Sequence, residues 1–215
     1  MIINTIIFDL GKVLLDFDFN PFYNWIENHT PYSKKDVLNF LKQNHLIKNY
    51  ELGYISTKEF FTILKDYLRT SYSIEHLQNL WNRIFSIIDK NYFLLQELYY
   101  NKQKYNLKLA LLSNTNESHK IFIEKHFVIF SYFDYKIFSF EIHLEKPEPE
   151  IYQYTLDLLN TKPENTIFID DKLENIEGAK SIGIHSIHYK PTLDLKNILK
   201  YQYYIPNFSK QTQLF

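Results

Sequence analysis

Short apolar runs alternate along the chain with stretches in which apolar residues recur at helical spacing. Three of the runs, residues 2–8, 107–112 and 166–169, are each followed at once by a polar side chain. Runs that are apolar on both faces are typical of parallel strands buried beneath helices. Helical patterns, such as those of residues 148–159 and 175–182, separate or follow the runs. The alternation predicts an α/β fold with a doubly wound, Rossmann-like parallel sheet.

The segment between the first two apolar runs has a different pattern, in which several amphipathic helical stretches follow one another. Ser56 precedes Glu59 by three residues, the spacing of a capping box, and Ser73 can cap the next helix. No repeat or Gly/Ser/Pro-rich linker divides the sequence. We therefore predict a small helical cap, residues 18–89, inserted into a core of residues 1–17 and 90–215. The tail, residues 191–215, has a weak helical pattern and predicts no function.

The composition is that of an ordinary globular protein and excludes several functional classes. With 24 basic and 25 acidic side chains, the chain has no global field that would attract nucleic acid or an anionic membrane. It has no cysteine, which excludes thiol catalysis and cysteine-ligated metal. No apolar run approaches the roughly 18 residues of a membrane span, and the start lacks the features of a secretory signal. We therefore expect a cytoplasmic protein with neither nucleic acid nor membrane as a partner.

Polar residues follow the predicted strands where ligands bind in open α/β sheets, beyond the carboxyl ends of the strands. We expect Asp9, Ser113 and the Asp170–Asp171 pair to meet at that edge. Lys146 follows another short apolar stretch and could reach the same edge. Taken singly, Ser113, Asp170 and Lys146 are each better explained by a role in capping a helix or a strand end. The joint pattern favours a site, because three neighbouring carboxylates stay ionised only around a cation and oxygen ligands suit Mg²⁺.

A site of this composition can carry phosphoryl transfer. A carboxylate held beside a metal ion can attack phosphorus and form an aspartyl-phosphate. Ser113 could donate a hydrogen bond to a phosphoryl oxygen, and Lys146 could offset the charge that accumulates during transfer.

Four sequence motifs, in order, carry a family resemblance. They are Phe8-Asp9-Leu10-Gly11-Lys12-Val13-Leu14, Leu111-Leu112-Ser113-Asn114-Thr115-Asn116, Lys146-Pro147, and Phe168-Ile169-Asp170-Asp171 followed by Asn175-Ile176-Glu177-Gly178-Ala179. The motifs resemble those of the haloacid dehalogenase-like hydrolase superfamily, and more narrowly its Asp-Leu-Gly-x-Val branch, which includes bacterial sugar-1-phosphate phosphatases. The resemblance spans residues 1 to about 190, and the helical insertion fits the small cap domain of that family.

The resemblance implies roles for the matching acidic positions. Asp9 would be the nucleophile and a ligand of Mg²⁺, with the backbone carbonyl of Gly11 and the carboxylate of Asp171 as further ligands. Asp170 and Asn175 would orient this acidic site.

It also implies how phosphate is bound. Ser113 and the backbone amide of Asn114 would bind the transferring phosphoryl group, and Lys146 would pair with both that group and Asp9. The substrate would be a small phosphorylated metabolite.

Gly11 departs from the commonest pattern of the superfamily. Most of its phosphatases place a second aspartate there, which protonates the leaving group and later activates water. Without it, acid–base catalysis, typically worth about 10²- to 10⁴-fold, is missing or relocated. Asp16, Asp18, His45 or Glu51 could supply the proton. Alternatively, the substrate could have a leaving group that needs less help, such as the anomeric hydroxyl of a sugar 1-phosphate.

The sequence as a whole predicts a Mg²⁺-dependent phosphatase of small phosphomonoesters, with phosphorylated sugars as the favoured substrates. Because of Gly11, the alternative is a catalytically silent relative that binds a phosphometabolite or a protein partner. Haloacid dehalogenation is less favoured, because such relatives need no metal and the Asp170–Asp171 pair is retained. Phosphomutase action is disfavoured because Gly11 cannot move a proton.

One break in the cap helices could face the substrate. Residues 50–54 are the best candidate for a loop that reaches toward the site, and Tyr50 or Tyr54 could stack on a sugar there. A plain turn between two helices explains the pattern equally well.

Overall fold

The computed structural model describes residues 2–205 and confirms the predicted α/β class. Its strands are β1 (Thr5–Phe8), β2 (Leu15–Phe17), β3 (Phe85–Ile87), β4 (Lys108–Ser113), β5 (Tyr135–Phe138), β6 (Thr166–Asp170) and β7 (His185–His188). Its α-helices are α1 (Asn20–His29), α2 (Lys34–Gln43), α3 (Leu46–Glu51), α4 (Thr57–Leu68), α5 (Ile74–Asn82), α6 (Asp89–Tyr105), α7 (Glu117–His126), α8 (Ser139–Ile142), α9 (Pro149–Leu159), α10 (Leu173–Ser181) and α11 (Leu195–Tyr201). Short 3₁₀ helices cover Val128–Tyr132 and Pro163–Asn165.

Five strands form a parallel sheet in the order β5-β4-β1-β6-β7. The first strand of the chain is therefore central, and the chain continues to one side of it before crossing to the other. This order brings the predicted site strands β1, β4 and β6 side by side.

Both faces of the sheet are buried, which explains why its strands are continuous apolar runs. Ile6 and Phe8 of β1 pack in a cluster with residues of α6, α7 and α11, whereas Ile7 packs with residues of α9 and α10. Alternate residues of one strand thus contribute to two different cores. At about 25 cal/mol per Å² of apolar surface removed from water, this two-sided burial is the main stabilising term for the sheet.

Helices α1 to α5 are inserted between β2 and β3 and have a hydrophobic core of their own. Its members include Phe22, Val37, Tyr50, Phe60 and Trp81. The chain enters and leaves the insertion through an antiparallel hairpin in which Leu15 pairs with Ile87. Neither strand of this hairpin was predicted from the sequence. The division at residues 18 and 89 stays a prediction.

The predicted helix caps are confirmed. The Ser56 hydroxyl accepts from the backbone N–H of Glu59 at 3.2 Å, and a carboxylate oxygen of Glu59 accepts from the backbone N–H of Ser56 at 2.8 Å. Ser73 accepts from His76 at 3.1 Å. A second capping box, between Ser33 and Asp36, starts α2.

Helix α11 accounts for part of the weakly helical tail, of which residues 206–215 lie outside the described residues. No helix within residues 2–205 is both long enough and apolar enough to cross a membrane.

Candidate active site

The strand register places the predicted acidic residues at one edge of the sheet. Phe8 pairs with Leu111 on one side and with Ile169 on the other, so that Asp9 and Asp170 follow at the same level. Carboxylate oxygens of Asp9, Asp170 and Asp171 lie within 4.8 Å of one another. The structure therefore brings together the three carboxylates that the sequence predicted would meet.

Lys146 lies buried between two of these carboxylates. Its ammonium donates to an oxygen of Asp9 at 2.6 Å, to an oxygen of Asp170 at 2.8 Å and to the backbone carbonyl of Leu112 at 2.9 Å. Burial lowers the pKa of Lys146, but the two carboxylates outweigh burial and leave that pKa raised. Lys146 is therefore charged and fixed against Asp9.

The side chain of Asn114 positions Lys146 through its backbone. The Asn114 carboxamide donates to the carbonyl of Lys146 at 2.9 Å and accepts from its N–H, also at 2.9 Å. From the sequence, only the backbone amide of Asn114 was expected to have a role. This side-chain contact could not be predicted from the residues around Asn114, because the partner lies 32 residues away.

Asp170 is fully buried and receives several hydrogen bonds. The amide of Asn175 donates to both carboxylate oxygens at 3.0 Å, and the backbone N–H of Lys172 donates to one of them at 2.8 Å. The hydroxyl of Tyr152 donates to the carbonyl of Asn175 at 2.7 Å and so fixes that residue in turn. Because Asp170 already accepts from Lys146 as well, Asp9 and Asp171 are better placed to bind a cation.

The site has more negative than positive charge. Burial raises the pKa of Asp9 to about 7; the Lys146 charge opposes this rise, and Asp170 and Asp171 add to it. Burial and the neighbouring Asp170 also raise the pKa of Asp171. Oxygen donors around such a deficit of positive charge fit a hard divalent cation such as Mg²⁺.

Gly11 lies in a tight turn after β1. The backbone N–H groups of Leu14 and Leu15 both donate to the carbonyl of Leu10, and the amide of Asn91 donates to the carbonyl of Val13 at 2.6 Å. A Cβ added to Gly11 would approach only the ring edge of Phe17, at 3.0 Å. The position is therefore tight on account of one side chain and not of its backbone angle.

A cavity of about 620 Å³ extends from the sheet edge to the inserted helices. At the sheet edge it is lined by Gly11, Ser113 and Asn114. Part of its lining is aromatic and apolar, with Phe17, Phe19, Tyr23, Trp81, Ile84 and Phe85 among others. The lining also includes charged and polar residues: Asn39, Lys42, His45, Lys48, Glu51 and Glu145.

The four candidate proton donors lie in different places. His45 and Glu51 line this cavity. Asp16 is exposed and forms an ion pair with Lys12, although it also lines a second cavity with Asp171. Asp18 accepts from the backbone N–H of Asn20 at 2.8 Å, which is a turn contact before α1.

Neither tyrosine of residues 50–54 lines the cavity, so the suggested stacking on a substrate is not supported. Tyr50 is buried in the core of the inserted helices and stacks on Phe60 with ring centroids 4.4 Å apart. Tyr54 is 62% exposed. It is Glu51, between them, that lies on the cavity wall.

One buried histidine, His119, belongs to the apolar side of the site. Its ring stacks on Trp81 with centroids 5.5 Å apart, and burial lowers its pKa to about 3. His119 is therefore neutral at physiological pH, as expected for a core histidine.

The close approach of Gly178 to Pro147 leads to a first prediction. A Cβ on Gly178 would lie 2.3 Å from the carbonyl oxygen of Pro147, so Gly178→Ala must push away the segment that carries Lys146. We expect a lower melting temperature, measured by circular dichroism, because overpacking costs about 1–3 kcal/mol. The exposed neighbour Glu177→Ala is the control and should melt with the wild type. An unchanged melting temperature for Gly178→Ala would show that this packing is dispensable.

The chain is similar to two curated phosphatases. It is 30% identical to the phosphorylated carbohydrates phosphatase of Thermotoga maritima over 139 residues, which cover 62% of this chain and 64% of that enzyme. It is 25% identical to the D-ribitol-5-phosphate phosphatase of Bacteroides thetaiotaomicron over 191 residues, which cover 86% of this chain and 90% of that enzyme. The match spans less than two thirds of the Thermotoga enzyme.

The fold is also similar to that of a solved haloacid dehalogenase (HAD) family enzyme from Bacteroides thetaiotaomicron. The TM-score is 0.82 at 24% identity, over 93% of this chain and 99% of that one. The wild-type complex of that enzyme with magnesium and inorganic phosphate gives a TM-score of 0.75 at 26% identity, over 91% and 98% of the two chains.

The resemblance carried by the four motifs is confirmed by a family model. The model described as haloacid dehalogenase-like hydrolase matches residues 3–183, which is most of the sequence. The chain belongs to the haloacid dehalogenase-like hydrolase family.

Proposed function

We propose that this protein is a Mg²⁺-dependent phosphatase of small phosphomonoesters that works through an aspartyl-phosphate on Asp9. The observation that carries the proposal is the contact of the Lys146 ammonium with one oxygen of Asp9 at 2.6 Å, in a cluster of three carboxylates at the edge of the sheet. The names of the two curated relatives and the magnesium–phosphate complex of the structural relative support it.

In the proposed reaction, a carboxylate oxygen of Asp9 attacks phosphorus. Lys146 keeps Asp9 and Asp170 in place through its hydrogen bonds to both carboxylates. The hydroxyl of Ser113 and the backbone amide of Asn114 bind the phosphoryl oxygens as their charge grows. Asp9, Asp171 and the carbonyl of Gly11 would hold Mg²⁺, which supplies positive charge to the phosphoryl group.

The proposed substrate class is phosphorylated sugars or sugar alcohols. Among the residues that line the cavity, Lys42, His45 and Lys48 can form hydrogen bonds with hydroxyl groups, and Phe19 and Trp81 can pack against the apolar faces of a carbon skeleton. Both curated relatives are named for phosphorylated carbohydrates or their alcohols.

Hydrolysis of p-nitrophenyl phosphate with and without Mg²⁺ tests the proposal. We expect release of p-nitrophenolate with Mg²⁺, loss of release after chelation with EDTA, and recovery when excess Mg²⁺ is added back, because the single positive charge of Lys146 does not balance the three carboxylates. Release that EDTA does not affect would contradict the metal requirement. A wild-type protein that is inert toward this ester and toward a panel of phosphorylated sugars would support the silent, metabolite-binding alternative instead.

A further inference from the structure

Glu51 approaches the sheet edge from the inserted helices. It is the last residue of α3, and it lines the same cavity as Gly11 and Ser113. Gly11 stands at the position where the resemblance places an acid–base aspartate in most relatives. A residue with a carboxyl group thus lines the cavity that reaches Gly11 and Ser113, while no carboxyl group is present at position 11 itself.

The backbone at Glu51 is tied directly to the phosphate-binding loop. The hydroxyl of Ser139 donates to the carbonyl of Glu51 at 2.6 Å and accepts from the backbone N–H of Thr115 at 3.0 Å. Thr115 lies two residues after Ser113. A single hydroxyl group therefore sets the position of Glu51 relative to the loop that would hold the phosphoryl group.

The residues after Glu51 lock the same contact. His143 donates from Nδ1 to the carbonyl of Leu52 at 2.7 Å. Gly53 has a φ of +70°, and a Cβ there would lie 2.1 Å from the carbonyl oxygen of Phe140, so no other residue fits without moving α8. Two hydrogen bonds and one close backbone approach thus fix the backbone at Glu51, which limits the positions that its carboxyl group can reach.

The charges around Glu51 allow both protonation states near neutral pH. Burial raises the pKa of Glu51 to about 7; the positive charge of Lys172 opposes this rise, and the negative charge of Glu145 adds to it. Lys48, on the same helix, is paired with Glu145, and the exposed His45 lines the same cavity. A group with such a pKa can act as an acid in one step and as a base in the next.

We infer that Glu51 is the proton donor and acceptor of the phosphatase reaction and replaces the carboxylate that is absent at Gly11. This inference rests on the proposed function. Of the other candidates, Asp16 is exposed and paired with Lys12, and Asp18 is engaged in a turn. His45 is exposed, whereas the backbone carbonyl of Glu51 accepts a hydrogen bond from Ser139.

Glu51 gives up one proton in the first step of the proposed reaction and regains one in the second. In the first step a carboxylate oxygen of Asp9 bonds to phosphorus, the bond from phosphorus to the ester oxygen breaks, and Glu51 gives its proton to that oxygen, which leaves as an alcohol. In the second step the carboxylate of Glu51 takes a proton from water as the water oxygen bonds to phosphorus. The bond from phosphorus to Asp9 then breaks, and inorganic phosphate leaves.

The variant Glu51→Gln tests the inference, because it keeps the shape of the side chain and removes the proton. With a sugar alcohol phosphate as substrate and Mg²⁺ present, we expect kcat to fall by about 10²- to 10³-fold. With p-nitrophenyl phosphate, whose leaving group departs without a proton, we expect a rapid burst of one nitrophenolate per enzyme. Turnover should then be slow, because phospho-Asp9 persists; mass spectrometry after an acid quench detects it.

The matched control is Glu75→Gln, an exposed carboxyl of the inserted helices, which should behave as wild type in both assays. Two results would overturn the inference: wild-type kcat of Glu51→Gln on the sugar alcohol phosphate, or equal loss of the burst and of that turnover in a variant with unchanged melting temperature. The second result would assign Glu51 a structural role. A wild-type enzyme inert toward both substrates overturns the proposed function itself, which distinguishes that failure from a failure of the inference alone.

Discussion

Asp9→Asn is expected to lose phosphate release by about 10⁴-fold or more on every phosphomonoester that the wild type hydrolyses. The amide nitrogen cannot replace the attacking carboxylate oxygen, and the remaining oxygen is a poor nucleophile. Steady-state release of inorganic phosphate, measured with Mg²⁺ at saturating substrate, reports the loss. The expected loss exceeds the one for Glu51→Gln, because removing the nucleophile stops the first step with any leaving group.

The melting temperature of Asp9→Asn shows whether activity is lost through the chemistry or through unfolding. Burial and the neighbouring Asp170 and Asp171 disfavour the charged form of Asp9, and in the variant Lys146 keeps its ion pair with Asp170. An uncharged amide at position 9 should therefore keep the melting temperature close to that of the wild type or raise it. Asp66→Asn, an exposed aspartate of α4, is the matched control and should keep full activity. Undiminished release by Asp9→Asn would remove Asp9 from the mechanism.

The core sheet and its acidic edge could be predicted because their signals are local. A strand buried on both faces must be a continuous apolar run, as β1, β4 and β6 are, and the first polar residue after it marks the carboxyl end. Parallel order then brings such residues together whatever the intervening sequence. Asp9, Ser113 and Asp170 were therefore predictable from a single sequence.

The hairpin that carries the insertion could not be predicted in the same way. Each of its strands has three residues, too few to show a two-residue period, and the partners Leu15 and Ile87 are far apart in the sequence. Its stability comes from pairing at long range and not from the pattern of either strand.

The orientation of residues 50–54 could not be predicted from the sequence either. The helix break at residues 50–54 was visible in the sequence, but whether Tyr50, Glu51 or Tyr54 points to the cavity depends on contacts with Ser139 and His143 in another part of the chain. A local pattern shows where a helix ends. Which residue of this break lines the cavity is determined by the packing of the inserted helices on the core, and that residue is Glu51.

Lys146 stabilises the cluster of carboxylates at the sheet edge. Its ammonium is the positive charge between Asp9 and Asp170, of which the second is fully buried. A buried carboxylate without a partner is desolvated and has no counter-ion to compensate. Breaking a buried ion pair therefore destabilises a fold far more than an exposed ion pair stabilises it.

Lys146→Met is therefore expected to destabilise the fold by about 3–5 kcal/mol in the absence of metal. For a chain of this length each kcal/mol shifts the melting temperature by about 2–4 °C, so a fall of roughly 6–20 °C should be seen by calorimetry. The matched control is Lys180→Met, which breaks an exposed pair with Glu177 and should cost less than about 1 kcal/mol. Equal melting temperatures for the two variants would contradict a structural role for the buried lysine. A large fall confined to Lys146→Met would show that the buried lysine stabilises the sheet edge at which Asp9 lies.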